Sequence, residues 1–248
     1  MLFTPLEQFE IISLIPIKFG WLNISFTNSS LFILLVFGVI LLLVHLSTLN
    51  STIIPNRWQS VFELMYEFIL SLLDENVGSK GQKYFPFIFV VFIFILFCNL
   101  IGMIPYSFTV TSHIIVTFGL AFSIWFGITI IGFMHHGIHF FSFFMPPGAP
   151  LALAPLLVVI ELVSYLFRSL SLSIRLFANM MAGHTLLKIM SGFAWTMFGI
   201  GGIFYIVGLL PILLLFAFIA LEIGVAMLQA YVFTILICIY LNDSINLH

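Results

Sequence analysis

The sequence predicts an all-α polytopic membrane protein: upright transmembrane helices, one surface amphipathic helix, and a long, steeply tilted helical hairpin at the C-terminal end. Three observations predict it. Of 248 residues, 62% are hydrophobic and only 6% are charged, with a mean hydropathy of +1.27, far outside the range of soluble domains. The apolar residues gather into runs at least as long as the hydrocarbon of a bilayer is thick. One charged segment, 55–76, shows helical periodicity instead. The whole chain, 1–248, reads as a single membrane domain.

Residues 1–30 form an outer tail. With one basic residue, Lys18, and two acids, Glu7 and Glu10, they fit neither a basic signal peptide nor an Arg-rich transit peptide, so insertion without a classical cleaved presequence is expected. Residues 31–49 are the first span. Pro55 suits a helix start, and from there Trp58, Val61, Phe62, Met65, Phe68, Ile69 and Leu72 recur at helical spacing opposite Arg57, Glu63, Glu67 and Asp74, the pattern of a helix lying on the membrane surface over 55–76. A transmembrane hairpin follows over 84–134. Its first arm, Tyr84–Tyr106, is expected to be interrupted by Pro86 and Pro105, its second is Ile114–Met134, and the turn lies at Ser107–His113. A loop rich in His, Gly and Pro extends to Pro150.

Two apolar stretches, 151–190 and 203–241, close the chain around a glycine-rich GIGG at 199–202. Each is close to 40 residues, which as a helix runs about 60 Å, twice the hydrocarbon thickness. Pro211 is the one interruption, so each reads as a single helix that must tilt, packed against a curved partner. Arg57, Lys80 and Lys83 fall between the first two spans while the tail has only Lys18. The surface helix is therefore expected on the cytoplasmic or matrix side, the N-terminus and the 191–202 turn outside, and the C-terminus inside.

Composition also excludes functions. Net charge is −2 with seven Lys and Arg, which leaves no basic patch for nucleic acid. Cys98 and Cys238 lie inside apolar runs and suggest neither a disulfide nor a metal site. No cofactor is implied.

The polar residues inside the long stretches carry the chemistry. Glu161, Arg168, Arg175 and Asn179 are spaced 7, 7 and 4 apart, within about 40° of one another on a helix, with His184 and Lys188 pointing roughly the opposite way. Glu222 and Gln229 share a stripe on the second stretch. Pairing His184 with Glu222 implies a hairpin centred on residue 203, and pairing Arg175 with Gln229 implies 202. Both fall at the glycines, so one antiparallel register levels both pairs. His184 titrates near neutrality and a desolvated Glu222 shifts readily, which suits them to passing protons. Arg175 cannot pass protons; its fixed charge favours the ionised form of any nearby carboxylate. Structural readings stand beside these: Arg175 in a salt bridge with Glu161 or Glu222, Asn179 and Gln229 as helix-to-helix hydrogen bonds, His184 as a packing histidine, and Lys188 as a snorkelling residue.

The block SLSIRLFANMMAGH, 171–184, with EIGVAMLQAYVFTIL, 222–236, and FFMPPGAPLALAPLLVVIELVSY, 143–165, resembles subunit a of the F-type ATP synthase in its mitochondrial form. The likeness runs from the first span onward and is weak over the first 30 residues. Bacterial members commonly carry an acid at the position of His184 and a histidine at that of Glu222; here the two are exchanged. The resemblance implies a stator subunit with no catalytic site of its own, in which Arg175 faces a rotating ring of c subunits. It further implies that Glu222 and His184 line the uptake half-channel, that Glu161 borders the exit half-channel, that Asn179 and Gln229 sit beside the arginine, and that Arg168 tunes the exit path or holds Glu161. The implied partners are the c-ring, peripheral-stalk and other small membrane-sector subunits, and lipids. The implied location is the mitochondrial inner membrane, with an alphaproteobacterial plasma membrane as the alternative. The 31 phenylalanines suit a gene in an AT-rich organelle genome.

Other readings compete. His135, His136 and His139 in HHGIH resemble one box of a membrane di-iron enzyme, but His45, His113, His184 and His248 lack the spacing for further boxes. A secondary transporter would carry repeated halves around broken helices, and no internal repeat is seen. A purely structural anchor leaves the two levelled polar pairs without a role.

Overall fold

The computed structural model describes residues 4, 6–20, 22–49, 51–104, 107–144, 154–202 and 204–246. Helix dominates: α1 Asn28–Thr48, α2 Arg57–Asn76, α3 Phe85–Gly102, α4 Ile114–His136, α5 Ala154–Ile200, α6 Phe204–Val207 and α7 Leu209–Ile245. Five helical segments among the described residues are long and apolar enough to cross a membrane, and the protein is all-α and multi-pass. Among the described residues strand is confined to two short antiparallel ladders in the N-terminal tail, β1 Ser13–Ile15 with β4 Phe26–Thr27 and β2 Lys18–Phe19 with β3 Leu22–Asn23.

The prolines mark helix starts more than interruptions. Pro86 was expected to break a span, yet it is the second residue of α3, and Pro155 and Pro211 take the second and third positions of α5 and α7. A first-turn residue has no intrahelical acceptor for its N–H, so proline costs nothing there. Pro105 lies outside the described residues. Helix α5 runs to Ile200, ten residues past the expected end, over 47 residues or about 70 Å. It stops where Gly201 and Gly202 adopt φ of 79° and 66°, a left-handed backbone that side chains resist. The second long stretch is not one helix, because Gly208 separates α6 from α7.

The chain divides into two compact units, and α1, α3, α5 and α7 contribute to both. The first contains residues 1–39, 95–113 and 176–230. Within it, Asn99 of α3 is fully buried and its Nδ2 donates to the Ala226 carbonyl of α7 at 3.2 Å. The small Ala226 and Ala230 are fully buried too, and small residues let helices approach in lipid. Phe32 of α1 packs against Phe108 in the turn after α3.

The second unit contains residues 40–94, 114–175 and 231–248. Here α2 buries Ile69, Leu72 and Leu73, and its Phe68 packs against Phe92 of α3 and Tyr231 of α7. The start of its apolar face, Trp58 and Val61, is exposed. Phe140 and Tyr165 form a further core with Trp125 and Val158. The end of α7 is held from outside the helix: His136 Nε2 donates to the Ile245 carbonyl at 3.0 Å, and Lys80 Nζ donates to Asn246 Oδ1 at 3.1 Å. Cys98 and Cys238 are buried free thiols.

The contrast along α2 is testable. Leu73→Ala removes a fully buried side chain and should cost about 2–5 kcal/mol, seen as a lower thermal unfolding midpoint in detergent micelles. Trp58→Ala should leave that midpoint nearly unchanged, and equal effects would show that α2 does not pack through its C-terminal half.

Candidate functional site

Each of the sequence-selected residues lies on α5 or α7, because uninterrupted helix is the backbone that hydrocarbon tolerates. In the first unit, Asn179 Nδ2 donates to Gln229 Oε1 at 2.9 Å, and His184 Nε2 lies 3.8 Å from Glu222 Oε1. These pairs centre on residues 204 and 203, so α5 and α7 are antiparallel here in the expected register. One partner differs from expectation. Gln229 was levelled with Arg175, but it is bonded to Asn179, one turn further along α5, where amide meets amide with donor and acceptor matched.

The His184 and Glu222 side chains are only 16% and 6% exposed. Among the described residues neither Glu222 carboxylate oxygen accepts a hydrogen bond, and a charged carboxylate buried in this condition is costly. Glu222 lies against Gly183, where any Cβ would collide with its carboxylate, so glycine is what admits the acid to the helix interface. Beside them is a cleft of about 270 Å³, lined by Asn179, Ala182, Gly183, Leu186, Phe218 and Glu222 among others. His184 also meets Thr109, whose Oγ1 is 3.0 Å from Nε2, and the edge of Phe9. In the turn after α3, burial holds His113 below its ordinary pKa, and its ring stacks on Phe108.

The second unit holds the remaining three. Arg168 Nη1 donates to Asp243 Oδ2 at 3.0 Å, and Nη2 lies 3.6 Å from Glu161 Oε1. Its guanidinium is 5.9 Å from the Tyr165 ring centre and 5.4 Å from that of Tyr240, within the range of cation-π attraction. Arg168 thus lies in ion-pair range of both Glu161 and Asp243. Arg175 is exposed, and among the described residues it enters no ion pair, so pairing with Glu161 or Glu222 is not its state.

Two site residues escaped the sequence reading. Asp243 had a signal: it continues the Glu222 and Gln229 stripe two heptads on. Thr109 had none, because its partner is 75 residues away. In the histidine-rich loop His135 bonds Tyr84 at 3.0 Å and His136 bonds the α7 end, and among the described residues no group of three His, Cys, Asp or Glu that could hold a metal is found. The rest of that loop, 145–150, and His248 lie outside the described residues.

The register makes a prediction of its own. His184→Cys combined with Glu222→Cys should crosslink on mild oxidation, as should Asn179→Cys with Gln229→Cys; crosslinking of position 184 only to 204–210 would reject the pairing.

Comparison with known proteins gives the geometry a family. The model for "ATP synthase A chain" matches residues 30–242. The chain is 63% identical over 249 residues to ATP synthase subunit a of Marchantia polymorpha, covering 99% of each. It is 60% identical over 252 residues to ATP synthase subunit a of Brassica napus, covering 99% of this chain and 97% of that one. With ATP synthase subunit a of Chondrus crispus it shares 56% identity over 245 residues, covering 99% and 97%. On a match that spans its helices from the first to the last, and on full-length relatives at this identity, the chain belongs to the ATP synthase A chain family.

Proposed function

We propose that this chain is the stator of the rotary motor in the ATP synthase membrane sector, supplying two proton half-channels separated by Arg175 and driving a ring of c subunits. The observation that carries the proposal is the environment of that arginine. Along α5 the exposed residues Ser164, Ser171, Arg175, Ala178 and Ala182 recur at spacings that keep them on one face, within about 60° at 100° per residue. Small residues around a single permanent charge suit close approach by another helix that brings a carboxylate.

On this reading two sets of side chains divide the work. Glu222 and His184 take up protons, and the cleft beside Glu222, at about 270 Å³, has room for several waters to reach it. A protonated ring carboxylate that moves toward Arg175 is driven to ionise, because the guanidinium stabilises the charged form and cannot itself take the proton. The released proton leaves past Glu161 and Asp243, both carried by Arg168. Asn179 and Gln229, bonded to each other, hold α5 and α7 together between uptake and the arginine. No bond is made or broken in ATP by this chain; it converts proton flow into torque.

The exchanged arrangement, histidine at 184 and glutamate at 222, supports a mitochondrial inner membrane location. Beyond the c-ring, the many exposed apolar side chains of the spans, such as Leu41, Phe126 and Leu213, support contact with lipids and with stalk and small membrane-sector subunits.

In reconstituted vesicles Arg175→Ala should abolish ATP-driven proton pumping while leaving the complex assembled, and Glu222→Gln should slow proton uptake. Normal coupled pumping in Arg175→Ala would sink the divider role.

A further inference from the structure

We infer that Thr109 is a positioning residue for proton uptake: its hydroxyl, shared between a helix-end carbonyl and His184 Nε2, sets whether that nitrogen gives or receives a proton. The inference rests on the uptake reading of His184 and Glu222 and adds to it a side chain from a third segment.

Helix α3 ends at Gly102, so its last carbonyls have no intrahelical donor. Hydroxyls of the following turn supply them. Ser107 Oγ donates to the Ile101 and Gly102 carbonyls at 2.7 and 3.0 Å, and Thr109 Oγ1 donates to Gly102 at 3.4 Å. Ser112 Oγ in turn donates to the Thr109 carbonyl at 2.6 Å. Thr109 is thus fixed on a buried turn, 4% exposed, with its hydroxyl oxygen 3.0 Å from His184 Nε2.

That same ring nitrogen is the one facing Glu222, at 3.8 Å. Glu222 is the titratable group paired with His184 among the described residues, while the uncharged Thr109 bonds the same ring nitrogen and Phe9 packs against the ring. A hydroxyl has one proton and two lone pairs, which permits two arrangements. With its proton on the Gly102 carbonyl, Thr109 accepts from Nε2–H and keeps a protonated nitrogen toward Glu222. When an imidazolium, protonated on both ring nitrogens, gives its Nε2 proton to the Glu222 carboxylate, the N–H bond breaks, an O–H bond forms on Glu222 and a neutral ring protonated on Nδ1 remains. The Thr109 hydroxyl then turns from Gly102 to donate to the bare nitrogen, and no other proton moves. The weak 3.4 Å bond is the one released, so the turn is easily made. Without the hydroxyl, the bare nitrogen has no donor and the protonated ring loses an acceptor.

The test uses assembled ATP synthase in vesicles carrying Thr109→Val, Thr109→Ala or Thr109→Ser. Val and Ala should assemble and slow proton-driven ATP synthesis about tenfold, the size of one lost hydrogen bond to a charged ring, while Ser stays within about twofold of the original. Because the bond from the charged ring is the stronger of the two lost, the pH dependence should shift toward lower pH on the uptake side in Val and Ala and return in Ser, a readout that packing alone does not move. Original rate and pH profile in Val, a Ser variant as slow as Val, or failure of both Val and Ala to assemble would each overturn the inference. Glu222→Gln in the same vesicles separates the layers: if it is unimpaired, the uptake reading itself fails, whereas impaired Glu222→Gln beside unimpaired Thr109→Val removes only Thr109.

Discussion

A polar group in hydrocarbon has no water to fall back on, so its partner must come from the protein. The rest of this structure follows from that constraint. It forces the backbone into helices that satisfy themselves, and it turns each polar side chain on those helices into a demand for a specific neighbour. Asn179 finds Gln229, Asn99 finds the Ala226 carbonyl, and Arg168 finds Asp243 and Glu161. Apolar side chains in lipid discriminate poorly between one helix register and another, since lipid tails offer the same environment. The few polar pairs therefore set the register that the many leucines and phenylalanines leave open.

Close approach is the second half of the same constraint. For Glu222 to reach His184, α7 must lie against α5 with almost nothing between them, and Gly183 provides that. An alanine there would move the carboxylate away from the imidazole. The pair is set by one residue that makes the contact and one that makes room for it, and the second is easily overlooked because it has no chemistry of its own.

This explains which parts were readable from the sequence. Apolar runs of bilayer length gave the helices, and the spacing of Glu222 and His184 about the glycines gave the register, because both rest on local periodicity and on the cost of lone polar groups. The end of α5 was misplaced because Ser191–Ile200 contains Gly192 and Gly199, which resemble turn residues in water but are tolerated in membrane helices. Pro86 was misread for a related reason: a proline breaks a helix only when its N–H would have been used. Asp243 was overlooked although its heptad position marked it. Thr109 could not be found at all, since an ordinary threonine in a turn gains its meaning from a histidine far along the chain.

Two arginines one heptad apart on α5 show why identity alone does not assign chemistry. Arg168 is three-quarters buried, meets two carboxylates and lies near two tyrosine rings, so its charge is already matched within the chain and serves to hold Glu161 and Asp243 in place. Arg175 has the same guanidinium on the same helix, yet it is exposed, with no carboxylate of the described chain in ion-pair range. A permanent cation that the fold could have neutralised, as it does seven residues earlier, is instead turned outward among Ser171, Ala178 and Ala182. In a membrane such a charge needs a counterpart, and none of the described carboxylates supplies it. On the proposed reading, a fixed ion pair would satisfy it but would not let go, whereas carboxylates carried past on a ring would arrive, ionise and move on, meeting the charge repeatedly.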